Sequence, residues 1–263
     1  MSENIFNKII INKRNKIELL KKTISINELN ERIKKRSKYM DFKSKIKENL
    51  NLNKTSIIAE IKKASPSAGI IIEDYNPVKI ANIYKQNNST CLSILTEEDY
   101  FLGNLIHISK VKEQINLPVL CKDFFIDKFQ IPLSKSYGAD AVLIILAGLS
   151  DNEAFEIYNE ALNYNLTVVV EVHTIDEAKR ALKFKEAIIG INNRNLKTFI
   201  TDINTTYEIS NILLHHSEPI ISESGIRSKE DIIEIQKKTN IKTFLIGESL
   251  LKNLKKNSIF SIL

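Results

Sequence analysis

The feature that most constrains the fold is a regular alternation, from residue 56 onward, of short apolar runs and longer charged segments. The runs are rich in Ile, Val and Leu, and each precedes a segment with helical spacing. Successive runs begin roughly 20–35 residues apart, the length of one strand, one helix and two loops. We predict strands at Ser56–Ile61, Cys91–Leu95, Pro118–Lys122, Asp140–Leu146, Leu166–Val172, Ala187–Asn192, Pro219–Ser222 and Thr243–Gly247.

These strands favour a parallel sheet that closes on itself. Runs such as AVLIIL and LTVVVEV are almost continuously apolar, which is typical of strands buried on both faces. Eight strand–helix units in about 200 residues favour a closed (βα)8 barrel, the TIM barrel, over an open sheet. Because no Pro/Gly/Ser linker interrupts the series, we expect residues 1–263 to form one α/β domain. Residues 1–50 are expected to be its helical N-terminal extension.

The net charge of +6 is unevenly distributed along the chain. Residues 1–50 carry +8, whereas residues 51–263 carry −2. The extension spaces its Ile and Leu residues as an amphipathic helix does, with Lys and Glu between them. It lacks the interleaved aromatic residues and glycines of a base-stacking segment. We therefore expect a solvated helical face here and no nucleic-acid partner.

Composition excludes several other classes of protein. No uncharged apolar run reaches the roughly 18 residues of a membrane span, so no membrane association is expected. The first residues lack the apolar core and cleavage site of a signal peptide. Two cysteines, Cys91 and Cys121, cannot build a disulfide framework, which favours the cytoplasm. The histidines show no ligand spacing, so no metal is expected, and His173 is predicted to be structural or solvent-facing.

Charged and amide side chains follow several predicted strands at their carboxyl ends, where barrel enzymes hold their catalytic groups. A charge in a buried strand is costly unless it is paired or functional. Any one of these residues alone is more often a solvated loop residue or, for an Asn, a turn former. Together, on one rim, they predict a site for general acid–base chemistry. They are Glu60, Lys62, Lys122, Glu171 and Asn192.

A second group of residues predicts a phosphate site on the same rim. Ser224-Gly225 and Gly247 follow the seventh and eighth strands, where barrels commonly bind phosphate through backbone N–H groups. Ser65 in the first loop adds a hydroxyl, and Arg194 adds a forked cation. The alternative is that each glycine only relieves backbone strain. No Walker-type or GxGxxG motif is present, so a nucleotide is not indicated.

Eight segments in order carry a resemblance to a known family: AEIKKASPSAG, SILTEEDYFLGN, LCKDFFID, GADAVLII, VEVHT, GINNRNL, SESGI and LIGESLL. Together they resemble indole-3-glycerol phosphate synthase over almost the whole chain. The resemblance implies a carboxy-lyase of tryptophan biosynthesis that uses no metal or organic cofactor. Its reaction converts 1-(2-carboxyphenylamino)-1-deoxyribulose 5-phosphate to indole-3-glycerol phosphate, with release of CO2 and water.

The resemblance also implies roles for individual residues. Lys122 matches the leading general acid, and Lys62 matches a second lysine that binds the substrate carboxylate or phosphate and is an alternative acid. Glu171 matches the general base, Glu60 the acidic partner of the lysines that assists dehydration, and Asn192 an amide that orients substrate. Ser224 matches a serine of the family's site, and Phe101 and Phe124 match apolar residues that pack on the anthranilate ring. The positions that match the phosphate site are Ser65, Arg194, Gly225 and Gly247.

Two departures and three alternatives accompany this interpretation. Ala68 replaces a frequent Lys, and Glu248 stands where some members have Ser, so its side chain is expected to point away from phosphate.

The alternatives are phosphoribosylanthranilate isomerase, a nucleic-acid-binding protein that uses the extension, and an inactive scaffold. The Glu-x-Lys pattern of strand one argues against the isomerase. The expected partner is a phosphorylated small molecule, and the expected state is a monomer.

Overall fold

The apolar runs form a closed barrel of parallel strands in the computed structural model, which describes residues 5–196, 198–254 and 257–263. Each strand pairs with its neighbours in chain order, and the last pairs with the first, with Ser56 opposite Thr243. This arrangement confirms the predicted (βα)8 barrel. The barrel strands are β1 (Ser56–Ile61), β2 (Cys91–Leu95), β3 (Val119–Lys122), β4 (Ala141–Ile145), β5 (Thr167–Val172), β6 (Ile188–Asn192), β7 (Ile220–Glu223) and β8 (Thr243–Ile246).

The largest difference that matters for the site is at the end of β7. The predicted strand ends at Ser222, whereas β7 continues to Glu223, which is paired in register with Asn192 of β6 and Leu245 of β8. Conversely, Gly247 lies beyond β8, where it precedes a short helix. The charged residue therefore belongs to the barrel wall, and the glycine belongs to the loop above it.

Helices alternate with the strands and surround the barrel. The sequence predicts caps at Asn76, ahead of Pro77, and at Ser228, ahead of acidic residues, and the structure confirms both. Asn76 caps one helix with Pro77 in its first turn, and Ser228 forms a reciprocal capping box with Asp231 in another. The described helices are α1 (Ile5–Thr23), α2 (Ile26–Lys34), α3 (Phe42–Asn51), α4 (Pro77–Gln86), α5 (Ile106–Gln114), α6 (Gln130–Ser136), α7 (Asp151–Asn163), α8 (Ile175–Ala181), α9 (Asn204–Ile212), α10 (Lys229–Thr239) and α11 (Glu248–Lys252).

Two local expectations are corrected. From the sequence, Pro132 stands about one turn into the helix after β3 and is expected to remove one backbone hydrogen bond or to kink the helix. However, α6 begins only at Gln130, so the proline lies in the first turn, where N–H groups lack intrahelical partners. At α8, the spacing of Thr174 and Glu177 predicts a capping box, and Thr174 accepts from the N–H of Glu177 as a cap should. The Glu177 carboxylate, however, accepts from the N–H of His173 at 2.7 Å, so the box is only half formed.

The N-terminal helices pack on the barrel through apolar side chains. Phe6 of α1 and Phe42 and Ile46 of α3 belong to the same buried cluster as the barrel residues. Ile17 of α1 and Leu29 of α2 form a second small cluster with residues of the segment around α6. Burial of these side chains against the barrel supplies the stabilisation that an isolated helix lacks in water.

Three lysines of α1, which we name the lysine row, pair with carboxylates in the loops that follow β2 and β3. The pairs are Lys13–Asp123 at 2.6 Å, Lys16–Asp99 at 2.7 Å and Lys21–Asp127 at 2.5 Å. Lys21 is exposed, as expected for a solvated face, whereas Lys13 is buried, so the expectation is wrong at Lys13.

Within the described part of the chain, no helix has both the length and the apolarity needed to cross a bilayer.

Candidate active site

The carboxyl ends of the barrel strands open into a cavity of about 560 Å³. This volume is in the range of small-molecule sites. Every residue predicted for the acid–base and phosphate groups lines the cavity, and so do Phe101 and Phe124. The structure adds Ile5, Phe6 and Ile9, so helix α1 forms part of the wall.

Lys122 lies at the centre of the acid–base group. It ends β3, and its Nζ is 3.1 Å from Oε2 of Glu171 and 2.6 Å from Oε2 of Glu223. Asn192 donates from Nδ2 to the other oxygen of Glu171, Oε1, at 3.1 Å. An ammonium thus sits between two carboxylates from β5 and β7 at the mouth of the barrel.

The electrostatics of this group follow from burial and mutual charge. Burial would lower the pKa of Lys122, but Glu171, Glu223 and Glu60 together raise it above its usual value. Burial would likewise raise the pKa of Glu171, but Lys122 and the neighbouring His173 hold it well below its ordinary range. At neutral pH the pair is therefore an ammonium and a carboxylate.

Glu223 is a site residue that sequence reasoning missed. Its side chain is 1% exposed, and burial together with the nearby charge of Glu171 raises its pKa to about 7, despite Lys122. The signal was present, because a charge ends an apolar strand here, much as Glu171 stands next to the last residue of β5. The predicted strand ends one residue early, at Ser222, and no role was predicted for the carboxylate that follows it.

Glu60 and Lys62 form the ion pair expected from their two-residue spacing on β1. Oε1 of Glu60 is 2.5 Å from Nζ of Lys62. Burial would raise the pKa of Glu60, but the charges of Lys62 and Lys122 hold it below the ordinary value. This ionised pair stands beside Lys122, so three carboxylates and two ammonium groups share the mouth.

Two glycines make room for the carboxylates of the site. A Cβ placed on Gly190 would collide with Oε1 of Glu223, and one on Gly247 would collide with Oε1 of Glu60. For Gly247 this steric role stands beside the predicted phosphate role. For Gly190 it is a function that the sequence did not indicate.

The variant Gly190→Ala is expected to lower kcat by about 100-fold, because the new methyl group displaces Glu223 from Lys122 and misplaces the ammonium. The measurement is steady-state turnover together with urea unfolding. Gly69→Ala is the matched control, since a Cβ there meets nothing within 4 Å, although its φ of +64° adds some strain. Equal losses in the two variants would contradict the steric argument.

The predicted phosphate residues lie on the side of the cavity formed by the first, sixth, seventh and eighth loops. Arg194 hydrogen-bonds Ser67 of the first loop and lies 3.6 Å from Oε2 of Glu248. Ser65 accepts from the backbone N–H of Ala68 at 3.2 Å. The chain turns sharply after β7, with positive φ at Ser224 and Gly225. The expectation that Glu248 points away is wrong, because its carboxylate lines the cavity and pairs with Arg194 and Lys252.

An aromatic wall closes the opposite side of the cavity. The ring centroids of Phe101 and Phe124 are 6.3 Å apart, and Phe6 of α1 meets Phe124 edge-on at 5.9 Å. Phe6 was not predicted, because nothing in the sequence around it connects the extension with the loop after β3. The wall offers apolar surface to a planar ring.

Of the two predictions for His173, structural or solvent-facing, the structure excludes the second. Its side chain is 8% exposed, and its Nε2 lies 3.1 Å from Oε1 of Glu171. Because the residue follows the end of β5, its ring reaches back toward the carboxylate two positions earlier.

A (βα)8 barrel with lysines and carboxylates paired at its carboxyl-terminal mouth defines a TIM-barrel enzyme of the acid–base class. The model of the family described as indole-3-glycerol phosphate synthase matches residues 6–261. The chain belongs to the indole-3-glycerol phosphate synthase family, and its activity is that of this decarboxylating lyase of tryptophan biosynthesis, which acts on a phosphorylated small molecule.

Individual relatives agree with the family model. The chain is 38% identical over 249 residues to the indole-3-glycerol phosphate synthase of Acidithiobacillus ferrooxidans, covering 95% of this chain and 94% of the relative. It is 41% identical over 256 residues to that of Prochlorococcus marinus strain MIT 9301, with 95% and 86% covered. Among solved structures, tryptophan synthase subunit alpha of Legionella pneumophila has a TM-score of 0.60 at 10% identity, covering 84% of this chain and 93% of that one, which supports the fold alone.

Proposed function

We propose that the cavity closes the indole ring of 1-(2-carboxyphenylamino)-1-deoxyribulose 5-phosphate, with Lys122 as general acid and Glu171 as general base. The observation that carries this assignment is the position of Lys122, whose ammonium is within 3.1 Å of both Glu171 and Glu223 at the floor of the cavity. Family membership supplies the reaction, and the geometry supports the roles of the residues.

Ring closure joins the ring carbon that bears the carboxylate to the ketone carbon of the substrate. Negative charge develops on the ketone oxygen as the bond forms, and a proton must reach that oxygen. Lys122 is protonated for this task because Glu171, Glu223 and Glu60 raise its pKa. Loss of CO2 then leaves the electron pair of the broken bond in the ring.

The same carboxylates that keep Lys122 protonated also make it a weaker acid, because they raise its pKa. When Glu171 takes the proton that the substrate loses in the later dehydration step, one of the anions that raise the pKa of Lys122 disappears. The ammonium then becomes a stronger acid without moving. Transfer of a proton to the base therefore promotes transfer from the acid, because the two groups are in contact.

Dehydration completes the indole and requires a second proton transfer. The hydroxyl formed in the first step takes a proton from a lysine ammonium of the site and leaves as water, and Glu171 takes the proton lost from the adjacent CH2 carbon. We assign Glu60 to assist this step and to hold Lys62, which faces the substrate carboxylate. Asn192 orients substrate through the amide that also contacts Glu171, and Ser224 lines the same cavity. Substantial turnover in a folded Lys122→Met variant would favour Lys62 as the acid.

The far end of the substrate is held by its phosphate. Arg194 supplies a forked cation, Ser65 a hydroxyl, and Gly225 and Gly247 the backbone of the loops after β7 and β8. Phe101 and Phe124 pack on the anthranilate ring at the other end. Two anchors on either side of the reacting carbons fix the orientation of the substrate, which lowers the entropic cost of ring closure.

The test is formation of indole-3-glycerol phosphate by the purified chain, followed by the fluorescence of the indole. Product is expected at the same rate with and without a metal chelator, because the proposed acid and base are side chains. A folded protein that turns over no substrate would sink the proposal. Activity that the chelator abolishes would overturn the metal-free mechanism alone.

Glu248 leads to a prediction about phosphate. Its carboxylate occupies the neighbourhood of Arg194 in the open cavity, so the phosphate must compete with it for the guanidinium. The variant Glu248→Gln is expected to bind inorganic phosphate about 2-fold to 5-fold more tightly, a range suited to one partly exposed ion pair. Competitive inhibition of turnover by phosphate measures the effect. Glu234→Gln, an exposed residue of α10, is the control, and an unchanged inhibition constant would contradict the competition.

We also propose that the chain works as a monomer in the cytoplasm and folds as a single domain with residues 1–50 as its extension. The two thiols, Cys91 and Cys121, are buried and form no disulfide, which fits a reducing compartment. Phe6 and Phe42 share a cluster with the barrel, which supports cooperative folding. Light scattering on the purified protein and a single unfolding transition test these statements; a dimer or two transitions would contradict them.

A further inference from the structure

His173 occupies a buried position between two carboxylates. Its Nδ1 lies 3.2 Å from Oε2 of Glu177 on α8, and its Nε2 lies 3.1 Å from Oε1 of Glu171. Its backbone N–H donates to the same Oε2 of Glu177 at 2.7 Å. This last bond is the one that replaces the second half of the capping box at α8. The ring is therefore held by a hydrogen bond at Nδ1 and by its own backbone N–H, and its Nε2 lies within ion-pair distance of Glu171.

The charge of the surrounding groups explains why a cation belongs here. Glu60, Glu171 and Glu177 lie around the mouth of the barrel and the ring against two ammonium groups, Lys62 and Lys122, while Glu223 is only partly ionised because its pKa is raised to about 7. An uncompensated buried charge is costly. A charged imidazole beside Glu171 compensates the excess negative charge of these buried carboxylates.

We propose that His173 is a positioning residue, held as an imidazolium between Glu177 and Glu171, that fixes Oε1 of Glu171 so that Oε2 faces Lys122. The two oxygens of Glu171 then have separate tasks. Oε1 is held by His173 and Asn192, and Oε2 contacts the ammonium. The contact from Nε2 is an ion pair whose N–H is poorly aligned for a hydrogen bond, so the charge of the ring carries it. The proposal rests on the proposed role of Glu171 as the base.

Titration agrees with this geometry. Burial would lower the pKa of His173, but Glu171 and Glu177 raise it to about 9. These two are the charged groups that face the ring, one from its own strand and one from α8. The ion pair is therefore present at neutral pH and is lost as the pH rises through about 9. Its contribution to the stability of the fold follows the same direction.

The charge state can be measured without any assay of activity. The chain has 4 histidines, so ¹⁵N-histidine labelling gives a spectrum that can be assigned by single substitutions. His173 is expected to be an imidazolium at pH about 7.5, whereas burial lowers the pKa of His107 and of His216 and keeps them neutral. Glu171→Gln and Glu177→Gln should each lower the pKa of His173. A neutral His173 in the unsubstituted protein would overturn the proposal.

Kinetics test whether the charge matters for turnover. His173→Gln is expected to lower kcat by about 10-fold to 100-fold with a change of KM below about 3-fold, since the base is displaced but the substrate anchors remain. Glu177→Gln keeps the bond to the backbone of His173, and it should move the alkaline limb of the kcat profile to lower pH. His216→Gln is the matched control for loss of a half-buried histidine. An unchanged kcat in folded His173→Gln would overturn the proposal.

The two lines of measurement separate this proposal from the proposed function. If the unsubstituted chain makes no product, the assignment of Glu171 as a base fails, while the spectrum still decides whether His173 is charged against it. If His173→Gln does not fold, the shifts in Glu171→Gln and Glu177→Gln decide the matter. A purely structural histidine would lower stability without moving the pH profile of the folded enzyme.

Discussion

Replacement of Lys122 by methionine is expected to lower kcat by about 10²-fold to 10⁴-fold while KM changes by less than about 3-fold. Methionine keeps most of the length of the side chain but has no proton to give to the ketone oxygen. The phosphate and ring anchors do not involve Lys122, so the substrate still binds. Steady-state kinetics by indole fluorescence measure both constants. Equal losses in kcat and affinity would mean that Lys122 only binds.

The controls for Lys122→Met must separate chemistry from folding. Without the ammonium, Glu171 and Glu223 remain buried beside each other, and the protein is destabilised. The double variant Lys122→Met with Glu223→Gln removes one carboxylate and restores the charge balance. We expect it to recover stability in urea but not turnover. Lys110→Met, on the exposed face of α5, should change neither.

The variant Glu171→Gln is expected to lower kcat by about 10²-fold to 10⁴-fold, again with little change in KM. The amide fills the same space and accepts from Lys122, but it cannot take up a proton. Glu223→Gln is the matched control from the neighbouring side of Lys122, and its loss should be smaller because Glu171 still serves as base. A larger loss in Glu223→Gln would exchange the roles of the two carboxyls.

Glu223 and Glu171 are also expected to change the free energy of unfolding in opposite directions as the pH rises. The pKa of Glu223 is raised to about 7, so this carboxyl binds its proton more tightly in the folded protein than in the unfolded one. Its contribution favours the fold at low pH and is lost as the pH rises from about 4.3, the unfolded pKa, through about 7. Urea unfolding should show this loss, and Glu223→Gln should remove it. Glu171 has its pKa lowered, so its contribution has the opposite sign.

The barrel could be predicted from the sequence because its strands are buried on both faces and are bounded by turn residues. β1 and β2 have the predicted bounds, and the charged ends of strands led directly to Lys122 and Glu171. The acid–base cluster was found by its position, since carboxyl ends of parallel strands must meet. This rule predicts which end of the barrel a side chain lies at, but it does not predict which other side chains the residue will contact.

The partners that were missed depend on contacts across the fold. His173 was judged by its spacing to other histidines, while its role follows from a ring that turns back to Glu171 and meets Glu177. The lysine row looks like a solvated face in the sequence. The carboxylates that pair with it could not be predicted, because they lie in loops far along the chain. Glu223 shows the limit of strand boundaries: a shift of one residue decided whether a carboxylate belonged to the wall or to the loop.

The lysine row has a consequence for the order in which the chain becomes structured during its synthesis. α1 leaves the ribosome before β2 and β3, yet Lys16 meets a residue 83 positions later and Lys21 one 106 positions later. At translation rates of about 5–20 residues per second, α1 waits about 5–20 s before its partners exist. α1 has 19 residues, and a protein helix gains most of its stability from the packing of its apolar face. α1 therefore completes the wall of the cavity late, only after the loops that follow β2 and β3 have been synthesised.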